Sequence, residues 1–152
     1  MAYITKEARQ ELLDTVAEAT DELGIALAAL GEAYERLDER SADALEEQLF
    51  HPVQGAYARA RRTHADFAAR HGLPARKFEA ASPGPPSTGV KGFLEATIAA
   101  LERAENILIE LQDSMSPVEV GDPQLRAGLA EVRAILAEVS GRPQRFVSLF
   151  GR

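Results

Sequence analysis

The stretch LLDTVAEATDELGIALAALGEAYERL, residues 12–37, decides the fold class. Leu12, Val16, Ala19, Leu23, Leu27, Leu30, Tyr34 and Leu37 recur at gaps of mostly four and three. That spacing lines up one face of an α-helix. At 100° per residue the set covers an arc of about 100°, and charged side chains fill much of the rest. The pattern predicts a helix over about 5–40, packed on one side, with Thr5 as N-cap. Gly24 and Gly31 interrupt it at about 1 kcal/mol each relative to Ala. They share a flank, which would let a neighbour approach closely. Ile25 points away from the seam.

The same rhythm returns three times. Ser41 can cap a second helix over 42–71, with Leu45, Leu49, Val53, Ala56, Ala60, His64, Phe67 and His71 inward. Pro52 lacks an N–H and clashes with the preceding turn, so a kink or break is expected near Phe50-His51. Gly72 and Pro74 stop the helix. Residues 73–89, LPARKFEAASPGPPSTG, form a long loop rich in Pro and Gly, which Phe78 could pin to the body. A third helix over 89–114 carries Val90, Leu94, Thr97, Leu101, Ala104, Leu108 and Leu111, with Met115 continuing the same spacing. Phe93, Ile98, Ile107 and Ile109 widen its apolar arc to about 200°, so it needs cover on more than one side. Ser116-Pro117 reads as a turn. Asp122 before Pro123 starts a fourth helix over 123–140, with Leu125, Leu129, Val132, Leu136 and Val139 as its seam.

These elements predict an all-α, antiparallel (up-down-up-down) four-helix bundle over residues 1–141, with the Pro/Gly-rich loop between helices 2 and 3. The apolar tail, residues 142–152, either folds back on the bundle or meets a partner subunit. Helix 1 would span about 50 Å and helix 4 about 27 Å at 1.5 Å per residue. That overhang would leave seam residues bare, and dimerisation is its simplest cure.

The 152 residues fit one domain. Without cysteine there is no disulfide, thiolate metal site or thiol nucleophile. No apolar run approaches the roughly 18 residues of a membrane span. Residues 1–7 lack the charged-then-apolar order of a signal peptide, so a cytoplasmic location is expected. A net charge of −7 makes nucleic acid an unlikely partner. The charge is uneven: residues 1–50 hold 4 basic and 13 acidic side chains, whereas 51–78 hold six basic residues against Asp66 alone. The plainest reading pairs the basic stretch with the acidic first helix, and a local anionic partner is the alternative.

Metal chemistry finds little footing. Di-iron bundles use Glu-x-x-His pairs, and none occurs here. His64 and His71 sit about 10.5 Å apart along a helix, too far to share an ion. Glu47 and His51 could make a weak surface site. No metal and no cofactor is predicted. No nucleophile elbow, P-loop or dinucleotide fingerprint is present. Tyr57, His64 and His71 do form a line at seven-residue spacing, with Arg61 beside it. Boundary positions commonly take such residues for their apolar bodies and polar tips. The same line could bind a small anion, since histidine titrates near neutrality.

The functional expectation is a non-enzymatic interaction or structural protein that self-associates as a homodimer or meets another protein partner. Phe93, Ile107, Ile109, Phe146, Leu149 and Phe150 are the candidate interface. The alternative is a bundle binding a small anionic ligand or metal near Tyr57, Arg61, His64 and His71.

Overall fold

A computed structural model describes residues 2–85, 88–120 and 122–150, with side chains from Lys6 onward. The described residues are helical outside turns and one long connection, and none forms a strand. Helix α1 spans Ala2–Glu35. It begins ahead of Thr5, and the capping role expected of that side chain lies outside the described residues. The chain turns at 36–38, earlier than expected, and α2 follows over Glu39–Leu45. Its cap is Asp38 rather than Ser41: the Asp38 carboxylate accepts the Ser41 N–H at 2.8 Å. Those bonds hold the Asp38 carboxyl below its usual range.

Pro52 neither breaks the second helix nor leaves it purely α. The turn Glu46–Phe50 just ahead of it is π-helical, and α3 continues over His51–Arg70. His51 N–H reaches back five residues to the Glu46 carbonyl. Pro52 has no N–H for the Gln48 carbonyl four residues earlier, and the wider turn eases the ring past it. That carbonyl accepts instead from Arg142 Nη1 at 2.9 Å. α3 ends as its sequence requires. Gly72 takes φ +65, Leu73 N–H returns to the Ala68 carbonyl at 2.9 Å, and Leu73 buries its side chain.

α4 spans Gly89–Asp113. Met115 turns the chain at φ 65, and residues expected as a plain turn form the short helix α5, Ser116–Val120. α6 spans Pro123–Val139, and the tail forms α7, Arg142–Phe150. Phe146 of α7 is buried in the common core, so the tail folds back on its own chain. Gly151 and Arg152 of that tail lie outside the described residues.

The order of the long helices differs from the expected up-down-up-down course. The Arg36 guanidinium covers the Phe93 ring at 4.8 Å, and Arg103 Nε donates to Glu22 at 2.8 Å, so α1 and α4 run antiparallel. Phe50, just ahead of α3, shares a cleft with Gly31, and Tyr57 lies against Gly24, so α3 descends beside α1. Arg70 meets Asp122 and Arg59 meets Glu131, so α6 climbs beside α3. The course is therefore up-down-down-up, with every packed neighbour antiparallel and α3 parallel to α4. Alternation on an oily face says that a helix is covered, not by which helix. The connection permits this order: an extended strap of this length outreaches the roughly 30 Å of α3. Residues 73–85 climb back along the groove between α1 and α3; Pro86 and Ser87 lie outside the described residues.

α1 is also buried more widely than its seam implied. Ala17, Ala26, Ala29 and Ala33 join the core beside Leu23 and Leu30. Alanine adds little to an apolar count, yet it lets α4 and α3 both close on one helix.

Candidate functional site

Helix α3 positions the candidate residues, and its flanks differ. Toward α6, Arg59, Thr63, Arg70 and His71 all have partners in place. Arg70 donates through Nε and Nη2 to the Asp122 carboxylate at 3.0 and 2.8 Å, and His71 Nε2 lies 2.7 Å from Oδ2. The same carboxylate accepts the Leu125 N–H at 2.8 Å and caps α6. Burial pushes the Asp122 carboxyl upward, but the bonds from Leu125, His71 and Arg70 outweigh it and hold it below the usual range. Arg59 pairs with Glu131 and also donates to Thr63 Oγ1 at 3.1 Å. A Cβ on Gly128 would lie 2.3 Å from that Thr63 oxygen, so only glycine lets α6 approach this closely.

Toward the strap, α3 presents His64, Arg61 and Arg62. They meet Arg76, Lys77 and Phe78 from the strap around a cleft of about 520 Å³. No carboxylate lines it. Among the described residues Arg61, Arg62 and Lys77 make no salt bridge, while Arg76 pairs with Asp21. His64 is 2% exposed, and its Nδ1 has no hydrogen-bond partner. The Phe78 ring stands edge-on to it at 5.0 Å and pins the strap, with Arg76 stacked on the far ring at 4.7 Å. Burial holds His64 below the usual histidine range and the Arg76 charge pushes it further down; Asp14 and Asp21 only partly oppose this. A neutral imidazole among cations is an unmet polar demand, and an unpaired buried group of this kind costs about 1–3 kcal/mol.

The residues expected to form one line thus separate. Arg61 and His64 share the strap cleft, and Arg61 also stacks over the Tyr57 ring at 5.5 Å. His71 faces the other way, against Phe67 and Asp122. The basic stretch mostly does not answer the acidic α1: Arg59 and Arg70 pair with α6, and only Arg76 reaches α1. Sequence reading singled out neither Arg62, Arg76 nor Lys77 as site residues. Their density in 51–78 was the available signal, and the returning strap is what gathers them.

Of the expected interface residues, Phe93 is fully buried and Phe146 nearly so, leaving no surface for a partner. Ile107 and Phe150 are half-buried against the core, with the Phe150 ring 5.8 Å from Phe146; Ile109 is also half-buried. Leu149 is exposed. His51 faces Glu46 at 3.4 Å rather than Glu47. Among the described residues no three His, Asp or Glu gather closely enough to hold a metal ion, and no helix is long and apolar enough to cross a membrane. No protein-family model, curated protein or solved structure matches the chain.

Proposed function

We propose that this chain is a non-enzymatic four-helix bundle, antiparallel between neighbours, that binds a small phosphate-like anion in the strap cleft. One observation carries the reading: four cationic side chains surround a cleft without any carboxylate, beside a buried imidazole that lacks a partner. Arg76 has Asp21 as counter-charge, but among the described residues Arg61, Arg62 and Lys77 make no salt bridge, and a multiply charged anion relieves the repulsion among them. No nucleophile or acidic pair stands at the cleft, which favours binding over turnover.

Calorimetric titration with pyrophosphate tests this. Binding should weaken as salt rises and should fall at least tenfold in the Arg61→Ala, Lys77→Ala double variant. Absence of both heat and thermal stabilisation by pyrophosphate at low salt would remove the proposal. Self-association has a smaller claim, resting on Leu149, which is 70% exposed on α7. Light scattering of the wild type against Leu149→Ser decides it, and a monomeric wild type ends it.

A further inference from the structure

A second cleft, also about 520 Å³, lies further along the same groove. Leu27, Phe50 and Tyr57 line it together with Gly24 and Gly31, and Pro83 of the strap stands at its edge. The two clefts adjoin. Tyr57 walls the upper one, while Arg61, stacked over the same ring at 5.5 Å, lines the lower. One run of strap serves both, with residues 75–78 on the lower cleft and Ala80, Ala81 and Pro83 on the upper.

The glycines explain why the upper cleft is open. A Cβ on Gly31 would meet nothing within 4 Å, so no packing requirement keeps glycine there. A Cβ on Gly24 would meet only the Tyr57 ring, at an ordinary 3.4 Å. Two glycines in the middle of a helix cost stability without repaying it in close contact. What Gly31 leaves is room, while at Gly24, two turns or about 10.5 Å away, the Tyr57 ring lies against the helix. The far rim carries Glu32 and Glu35, opposite in sign to the lower cleft.

We propose that the ligand is an anionic amphiphile, with a phosphate-type head among Arg61, Arg62, Arg76 and Lys77 and an alkyl or acyl chain lying past Tyr57 and over Gly31 beside the strap. This rests on the anion site proposed above and extends it. The charges fix the ligand's direction: cations at the head end attract it, and at the far end Glu35 repels a reversed molecule while Glu32 is paired with Arg36. The ligand is a single molecule lying along the open groove between α1 and α3, with Ala80, Ala81 and Pro83 of the strap along one edge.

Calorimetry with pyrophosphate, octyl phosphate, decyl phosphate and decanol tests this, with the amphiphiles below micelle-forming concentrations. Each buried methylene should tighten binding about fourfold, so decyl phosphate should bind more than tenfold tighter than octyl phosphate. Gly31→Leu, which fills the upper cleft, should weaken decyl phosphate at least tenfold and leave pyrophosphate unchanged. A thermal melt controls for its folding. Arg61→Ala, Lys77→Ala should weaken both ligands. If pyrophosphate binds but chain length and Gly31→Leu have no effect, the anion site stands and the amphiphile is overturned. If neither ligand binds, both proposals fall. Decanol binding as tightly as decyl phosphate overturns the head assignment. Sedimentation with anionic vesicles without binding of monomeric decyl phosphate overturns it in favour of a membrane surface.

Discussion

The two flanks of α3 are built on opposite terms. Toward α6, Gly128 brings the backbones together on Thr63, and Arg59, Arg70 and His71 each meet a carboxylate. Toward α1, Gly31 leaves space unfilled, three cations lack a salt bridge, and a buried imidazole nitrogen lacks a partner. Glycine therefore has contrary meanings on the two sides, contact on one and room on the other. A flank whose cations are matched by carboxylates holds the fold, and a flank left unmatched on a rigid frame is where a ligand has something to supply.

The largest effect expected from this contrast is at Asp122. Asp122→Ala removes the α6 cap and strands Arg70 and His71, and should cost about 3 kcal/mol in urea unfolding. Asp122→Asn keeps part of the cap and should cost less. Because the folded carboxyl sits below its usual range, this support is complete above that range and fades as pH falls through the lowered value. A loss under 1 kcal/mol for the alanine variant would mean that the α3–α6 flank is not held by its charges.

Next come the paired glycines. Gly128→Ala forces a methyl onto Thr63 and should destabilise by about 2 kcal/mol, with partial rescue by Thr63→Ala. Gly31→Ala meets open space in a helix and should stabilise by about 0.5–1 kcal/mol. Equal signs in the two melts would erase the contrast. The smallest effect at neutral pH belongs to His64→Phe. The wild-type imidazole is buried with its affinity for protons lowered, so the unfolded chain binds the proton more readily. Stability should thus be full above the ordinary value near 6.5 and decline as pH drops below it. The phenylalanine variant should flatten that decline between neutral and mildly acidic pH, as read from denaturation midpoints.

What could be read from the sequence was what is decided locally. Gly72 with Pro74, and Asp122 with Pro123, marked helix ends because a left-handed residue and a cap act within a few positions of themselves. The all-helical character followed from spacing alone. The chain's course did not, because Leu23 and Leu94 announce oily faces without naming their partners. Gly128 carried no warning, since a lone glycine in a helix reads as a cost until Thr63 is seen above it. Arg61 and His64 were visible as neighbours on α3; Arg76, Lys77 and Phe78 joined them only because the strap doubles back. Pro52 pointed to a distortion, but its form depended on a widened turn and on Arg142 from the far end of the chain.

The up-down-down-up course also sets an order of assembly. α1 ends at Glu35, yet the helix it packs against most extensively is α4, which ends at Asp113. At ordinary rates of translation the interval is on the order of ten seconds, during which the first two rods can cover only the faces they share and leave bare those meant for α4 and α6. A nascent polypeptide stalled in the strap is a target for chaperones and for clumping, whereas one stalled beyond α6 has already shut both rods away from water.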